Sequence, residues 1–486
     1  MLFRIAFICL LGFYCSSCSR FCGSTSAGPD GIRWVYSPLD PGISAAIADD
    51  SKLPDSFGEP PKQHQLKSAP RIKDGRIYFR DGKRRLHVLD QATGEPLWCG
   101  PDNVCSYLIE GNTVYTGSVG KAQNLTREEV ESGGPPLISF SNDRFAAKRH
   151  LHRCSLRALE LKTGAERWHA DAWCRNGHIE LFLHEKALIV LSGDSNYFFA
   201  LDKATGKQLW HHDDPYPFPG ASSHRNVYAV TGESIFFCSG SSKSGSRIAV
   251  LDADTGNATN SLELPEEREI DYVRCLFSVP EGAALITGTE VDSKTKELDM
   301  NFYELNRSAR EPVYGLRLGR LYRPGEFHVR GAIDTIYVWT VARQPKGMRG
   351  LLYSIDRREG KTNWVLSFDR PIRDLVPGER GVVLGSVDNG LFCIADGKKV
   401  WERIFPAPYE IIPAGSDVFA CCDFVVLSVD PKTGEITGRE GFNSVPKGGC
   451  YSNGELFVAT SDHKIHALKT PLKKPEAMQV QGGSAP

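Results

Sequence analysis

Along this 486-residue chain the apolar positions gather in short, strand-length runs, and the clearest of them share one frame. Leu86-His87-Val88-Leu89 leads into Asp90, then Gly94 and Trp98; Phe198-Phe199-Ala200-Leu201 leads into Asp202, then Gly206 and Trp210. The frame returns at Glu160, Gly164 and Trp168, and at Asp356, Gly360 and Trp364. Asp252 with Gly256 and Asp430 with Gly434 keep the turn residues but lose the tryptophan. Asn306 with Tyr314 forms a degenerate copy, and Asp396-Gly397 before Trp401 a shortened one.

Each part of the frame has a physical task. The run before the acid, rich in β-branched and aromatic side chains, predicts a strand with buried faces. The acid opens a turn by accepting bonds from amides two or three residues on, and the glycine supplies a positive φ. The tryptophan then lies on the returning strand, so the frame predicts a hairpin. Two more strand-like runs precede most copies, among them Arg76-Ile77-Tyr78-Phe79 and Ala187-Leu188-Ile189-Val190-Leu191, which makes the unit a four-stranded antiparallel sheet.

The turn positions 90, 160, 202, 252, 306, 356, 396 and 430 follow one another at 34 to 70 residues. Blades of a β-propeller commonly take about 40 to 50. The strand followed by Leu-Asp-x-x-Thr-Gly-x-x-x-Trp resembles the quinoprotein, or pyrroloquinoline-quinone-like, propeller repeat, over about Leu66 to Thr470. An outer-membrane assembly lipoprotein shares this repeat type. The resemblance implies that Trp98, Trp168, Trp210, Trp364 and Trp401 pack between neighbouring blades. It also favours eight blades, although nine candidate sheets are counted. The last apolar run, Lys464 to Leu468, has no return strand of its own. Ile32-Arg33-Trp34-Val35-Tyr36, in the 19–65 linker, is expected to complete that sheet and close the ring.

Composition fits an ordinary globular chain with a large core: 41% hydrophobic and 24% charged residues. Lysine and arginine number 58 against 59 acids, without a long single-sign block, so nucleic acid is not an expected partner. Residues 1–18 carry a secretory signal pattern: Arg4, an apolar run from Ile5 to Phe13, then small residues. That run is too short to span a bilayer. Ser16-Ser17-Cys18 resembles the end of a lipoprotein signal, which makes Cys18 a candidate for lipidation, although Cys15 stands where an aliphatic residue is usual. Of the fourteen cysteines, ten belong to the folded part, and Cys99 with Cys105 and Cys154 with Cys174 are the first pairs to test for disulfides.

Residues 119–153 interrupt one repeat and hold Gly133-Gly134-Pro135-Pro136 and the run Lys148 to Arg153. Long loops in compact domains are often functional. The stretch 471–486 has no apolar pattern and is expected to be a disordered tail. No catalytic, cofactor-binding or metal-binding residue is nominated. Cys421-Cys422 falls late in the repeats, whereas the vicinal disulfide of some quinone dehydrogenases lies early. His150-Leu151-His152 and His211-His212 lack companion ligands at metal spacing. There is no Cys-x-x-Cys-His haem motif, phosphate loop or nucleophile elbow. The expectation is an exported, non-catalytic scaffold that binds a protein partner in the cell envelope or periplasm, with no cofactor. The alternative is a propeller that binds the quinone with calcium as a dehydrogenase, or another small molecule.

Overall fold

The computed structural model describes residues 23–27, 32–38, 70–125 and, apart from some connecting loops, 149–473. The fold is all-β. It is a β-propeller in which the described residues form nine blades, eight of them built on four antiparallel strands that pair in chain order, a to d. Eight blades had been expected from family precedent, and the count is corrected to nine: the degenerate copies at Asn306 and Asp396 head complete sheets of their own.

The blades fall into two compact units. Residues 101–371 hold blades two to six, covering 104–174, 179–213, 228–263, 272–322 and 324–368. Residues 1–100 with 372–486 hold blade one at 71–99, blade seven at 372–404, blade eight at 410–441 and blade nine. Within each unit the core lies between the sheets, because strands b and c bury side chains on both faces. Phe198, Phe199, Phe236 and Phe302 are shut from solvent in one unit, and Tyr78, Phe392, Phe419 and Phe457 in the other. One apolar cluster joins Val279, Ile286 and Phe302 of blade five to Ile336, Val338 and Ile355 of blade six.

Blade nine takes its fourth strand from the start of the chain. β1, Gly23–Ala27, pairs with β2, Ile32–Pro38, and β2 lies antiparallel to Ile465–Lys469. Trp34 stands opposite Ala467, with a bulge between Ile32 and Trp34. Trp210 stands opposite Ala200 with the same bulge before it, so β2 reproduces the register of an internal outer strand. β1 is a fifth strand that the sequence pattern did not show.

Two boundaries move. The strands Thr113–Leu125 and Arg149–Glu160 run on as a paired hairpin well into the segment read as a loop, and residues 126–148 lie outside those described. At the other end, Leu472 is only 4% exposed, and the Arg439 amide donates to the Lys473 carbonyl. The expected tail therefore starts no earlier than 474, beyond the described residues. The signal pattern and Cys18 also lie outside them.

Candidate functional site: the turn latches and the long hairpins

The repeat residues meet in joints between successive blades of a unit. Asp202 Oδ1 accepts from the amides of Ala204 and Thr205 and from the Thr205 hydroxyl, at 3.1, 2.7 and 2.8 Å. The hydroxyl and amide of Thr205 hold this carboxyl below the usual carboxylate range. Asp90 and Asp252 bond the corresponding groups, while Asp356 and Asp430 bond amides of their own turns. Glu160, one carbon longer, accepts from the Thr163 hydroxyl.

Into this turn comes the tryptophan of the preceding blade. Trp168 Nε1 donates to the Lys203 carbonyl at 2.9 Å, Trp210 to Ala253 at 3.1 Å and Trp401 to Pro431 at 3.0 Å; each acceptor directly follows the turn acid. The indole lies flat against the turn glycine. At Gly256, φ is +68°, and a methyl group there would stand 2.4 Å from Trp210 Cε3. Gly206 meets Trp168, Gly434 meets Trp401, and Gly94 meets Trp34 from β2 in the same way. Trp98 and Trp364 are paired opposite Val88 and Ser354 in their own blades. Gly164 and Gly360 have φ of +70° and +62°.

In blades five and eight, which lack the tryptophan, another group takes its place. Tyr314 lies against Gly360 and donates to Glu304 Oε2 at 2.8 Å, while Arg357 of blade six donates to Glu304 Oε1 at 2.6 Å. In blade eight the position belongs to Gly438, and a methyl group there would stand 2.7 Å from Leu472 Cβ. The C-terminal segment thus fills the gap.

Sequence reading missed two features. A small polar residue or cysteine recurs within, at the end of or just after strand b in every blade: Asp81, Ser118, Ser192, Ser239, Thr287, Thr340, Ser386, Cys422 and Thr460. Asp81 is the charged member. It accepts from the Lys83 and Arg85 amides and pairs with His87 Nε2 at 2.9 Å, and His87 Nδ1 meets Tyr36 OH of β2 at 3.0 Å. Burial raises the Asp81 pKa, but the bond to His87 and the positive charge nearby outweigh it and hold the carboxyl below its ordinary value. The other feature is hairpin length. Strands b and c have six residues each in blades three and four. In blade two they have 13 and 12, in blade five 11 and 10, and in blade six 10 and 10. These extensions carry their own packing, with Leu298, Met300 and Leu318 of blade five in one cluster with Phe327 and Ala342 of blade six. Val291 and Met348 remain 42% exposed near their ends, beside the exposed Arg349.

Other groups that invite a chemical reading resolve into packing. Ser155 Oγ lies 3.0 Å from both His169 Nε2 and Asp171 Oδ1, but Asp171 meets the same ring nitrogen at 3.2 Å, and Arg153 holds its second oxygen at 2.5 Å. A nucleophilic triad needs the carboxylate on the opposite ring nitrogen. Cys421 and Cys422 are buried thiols on successive positions of one strand, facing opposite ways. His152 Nδ1 bonds the Gly120 carbonyl and His211 Nδ1 meets Gln208 Nε2, so both are engaged locally. Cys99 is in a disulfide, whereas Cys105 is a buried thiol, so the expected pairing of the two is not formed. Among the described residues no three His, Cys, Asp or Glu side chains gather as metal ligands. A narrow crevice between blades seven and eight is lined by Leu384, Leu391, Phe392, Trp401, Ile411 and Val418. This lining offers no cation to an anionic quinone and no carboxylate to calcium.

Fold and joint together define a β-propeller of tandem four-stranded repeats. Residues 116–283, roughly a third of the chain, match the family model described as outer membrane protein assembly factor BamB. No curated protein matches the sequence. Among solved structures, BamB from Moraxella catarrhalis is 14% identical, with 83% of this chain and 95% of that one covered at a TM-score of 0.44. The quinohemoprotein alcohol dehydrogenase from Comamonas testosteroni is also 14% identical, over 86% of this chain and 77% of its own, at 0.44.

Proposed function

We propose that this chain is a non-catalytic scaffold that docks a protein partner through the long b–c hairpins of blades two, five and six. The observation that carries the reading is their length. A blade is complete with strands of six residues, as blades three and four show, so the added turns of hairpin serve something other than closure of the sheet. The family model matched by residues 116–283 describes an assembly factor, a role carried out by contact with other proteins. Exposed Val291 of blade five and Met348 of blade six offer apolar anchors, with Arg349 next to Met348 in sequence, and the insertion in blade two adds the run Lys148 to Arg153. Aromatic, methionine and arginine side chains are enriched at such contacts.

Export belongs to the same proposal. Arg4 and the apolar run from Ile5 to Phe13 support a signal segment, and Cys18 supports a lipid anchor that would hold the propeller at a membrane of the cell envelope. No helix among the described residues is long and apolar enough to cross a membrane.

Two variants test the docking surface: one with residues 126–148 replaced by a short Gly-Ser turn, and one with Met348→Glu and Arg349→Glu. Cross-linking of purified protein to envelope extract, followed by mass spectrometry, should show a partner whose capture falls at least about tenfold in one or both variants, with melting temperatures unchanged. Capture that survives both variants would place the surface elsewhere. Calorimetric binding of the quinone with calcium, together with dye-linked oxidation of an alcohol or sugar, would overturn the scaffold reading itself.

A further inference from the structure

Blade two contains an unexplained pair of buried sulfur atoms. Cys154 lies opposite Ala172, and Cys174 lies opposite His152, so the two cysteines are diagonal neighbours on one face of the strands c and d. Both are sealed from solvent, 1% and 2% exposed, and as two thiols their Sγ atoms stand 2.6 Å apart. That is closer than the roughly 3.5–4.0 Å of ordinary contact between heavy atoms. The place is distinctive as well. Cys154 stands opposite Val119, where the long hairpin leaves the blade, and Cys174 is the last residue of the outer strand, Glu166–Cys174. Cys99, in blade one, is in a disulfide.

We propose that Cys154 and Cys174 are a site of covalent modification: they are joined by a disulfide that staples the root of the blade-two hairpin to the outer strand. The oxidant is a disulfide of an exchange catalyst or of oxidised glutathione. One cysteine thiolate attacks a donor sulfur and releases the other as a thiolate, forming a mixed disulfide. The second cysteine then attacks the first, and the remaining donor sulfur departs. Two thiols lose two electrons, one donor disulfide gains them, and the two protons pass to its leaving sulfurs. The hydrogen bond with Cys174, and then burial, push the Cys154 thiol up, and a thiol is a poor nucleophile beside its thiolate. Exchange therefore happens while the hairpin root is open, and the bond resists reductant once the strands have closed over it.

The bond does not depend on the docking role of the hairpin, and its test does not involve a partner. Protein purified without reductant, unfolded in N-ethylmaleimide and digested with trypsin, should yield residues 154–157 linked to 168–175, with neither cysteine alkylated. Alkylation of both cysteines, even after refolding in oxidised glutathione, would overturn the proposal, as would linkage of either to the 86–121 peptide through Cys105. The staple has its own measurement. Amide exchange in residues 119–125 and 149–153 should speed up at least tenfold in a Cys154→Ser, Cys174→Ser variant whose other blades exchange as before. Equal rates there would show a bond without a mechanical role.

Discussion

At the residue scale the joint between blades rests on a few atoms. Replacing Trp210 with alanine removes a large buried aromatic and the bond from Nε1 to the Ala253 carbonyl. A loss of about 3–5 kcal/mol is expected in denaturant unfolding, as for other buried aromatics. Gly256→Ala should lose about 2 kcal/mol or more with no group removed, because its methyl would enter the indole and φ is +68°. An unchanged midpoint in either variant would detach that residue from the joint. Acid, glycine and tryptophan could be read from the sequence because they stand at fixed spacing from one another along the chain. What holds their substitutes could not. Tyr314 depends on Glu304 of its own blade and Arg357 of the next, and Gly438 has meaning only beside Leu472, which arrives from a segment without apolar pattern. Packing brought these partners together: the spacing from Asn306 marks Tyr314, but nothing local marks Glu304, Arg357 or Leu472.

Among the elements, the borrowed strand β2 has the clearest consequence. Trp34 is 4% exposed against the Gly94 turn, whereas Arg33 points outward to Glu455. Trp34→Ala should therefore destabilise about as much as Trp210→Ala, while Arg33→Ala should cost no more than about 1 kcal/mol, as for an exposed ion pair. Equal effects of the two would mean that the strand is held by its edge and not by the indole. That β2 would pair with Ile465–Lys469 was legible, since a tryptophan-bearing strand without neighbours and a sheet lacking one strand imply each other. The hairpin lengths were not. Residues such as Val119 to Leu125 read as loop because their alternation is broken by Gly120 and Lys121, and the ladder with Arg149 to Cys154 joins positions far apart in sequence.

For the whole molecule, titration links distant blades to one acid response. His328, stacked on Trp339 at 5.1 Å, and His466, facing Phe442, are both lowered to about 4 by burial. A depressed histidine favours the neutral fold, so the stability it supports is present above its unfolded value of about 6.5. That stability is lost as pH falls towards 4. Asp81, held below its ordinary value, contributes above about 3.9 and loses its share only in stronger acid. Unfolding free energy should thus decline in two stages, and His328→Phe should flatten the first. A profile that does not change in this variant between pH 6.5 and 4 would remove His328 as a cause. At this scale the sequence was least informative: all nine sheets were visible in it, yet the count was drawn to eight by precedent, because nothing in a single repeat records how many repeats follow. The turn latch explains that silence. Blade three carries an acid and glycine for the blade before it and an aromatic ring for the blade after it, so a copy of such a blade brings a complete set of fittings. Duplication of a segment of about 45 residues would leave every neighbouring fastening intact, and blade number is then free to drift between descendants of one ancestor while the repeat itself is held fixed.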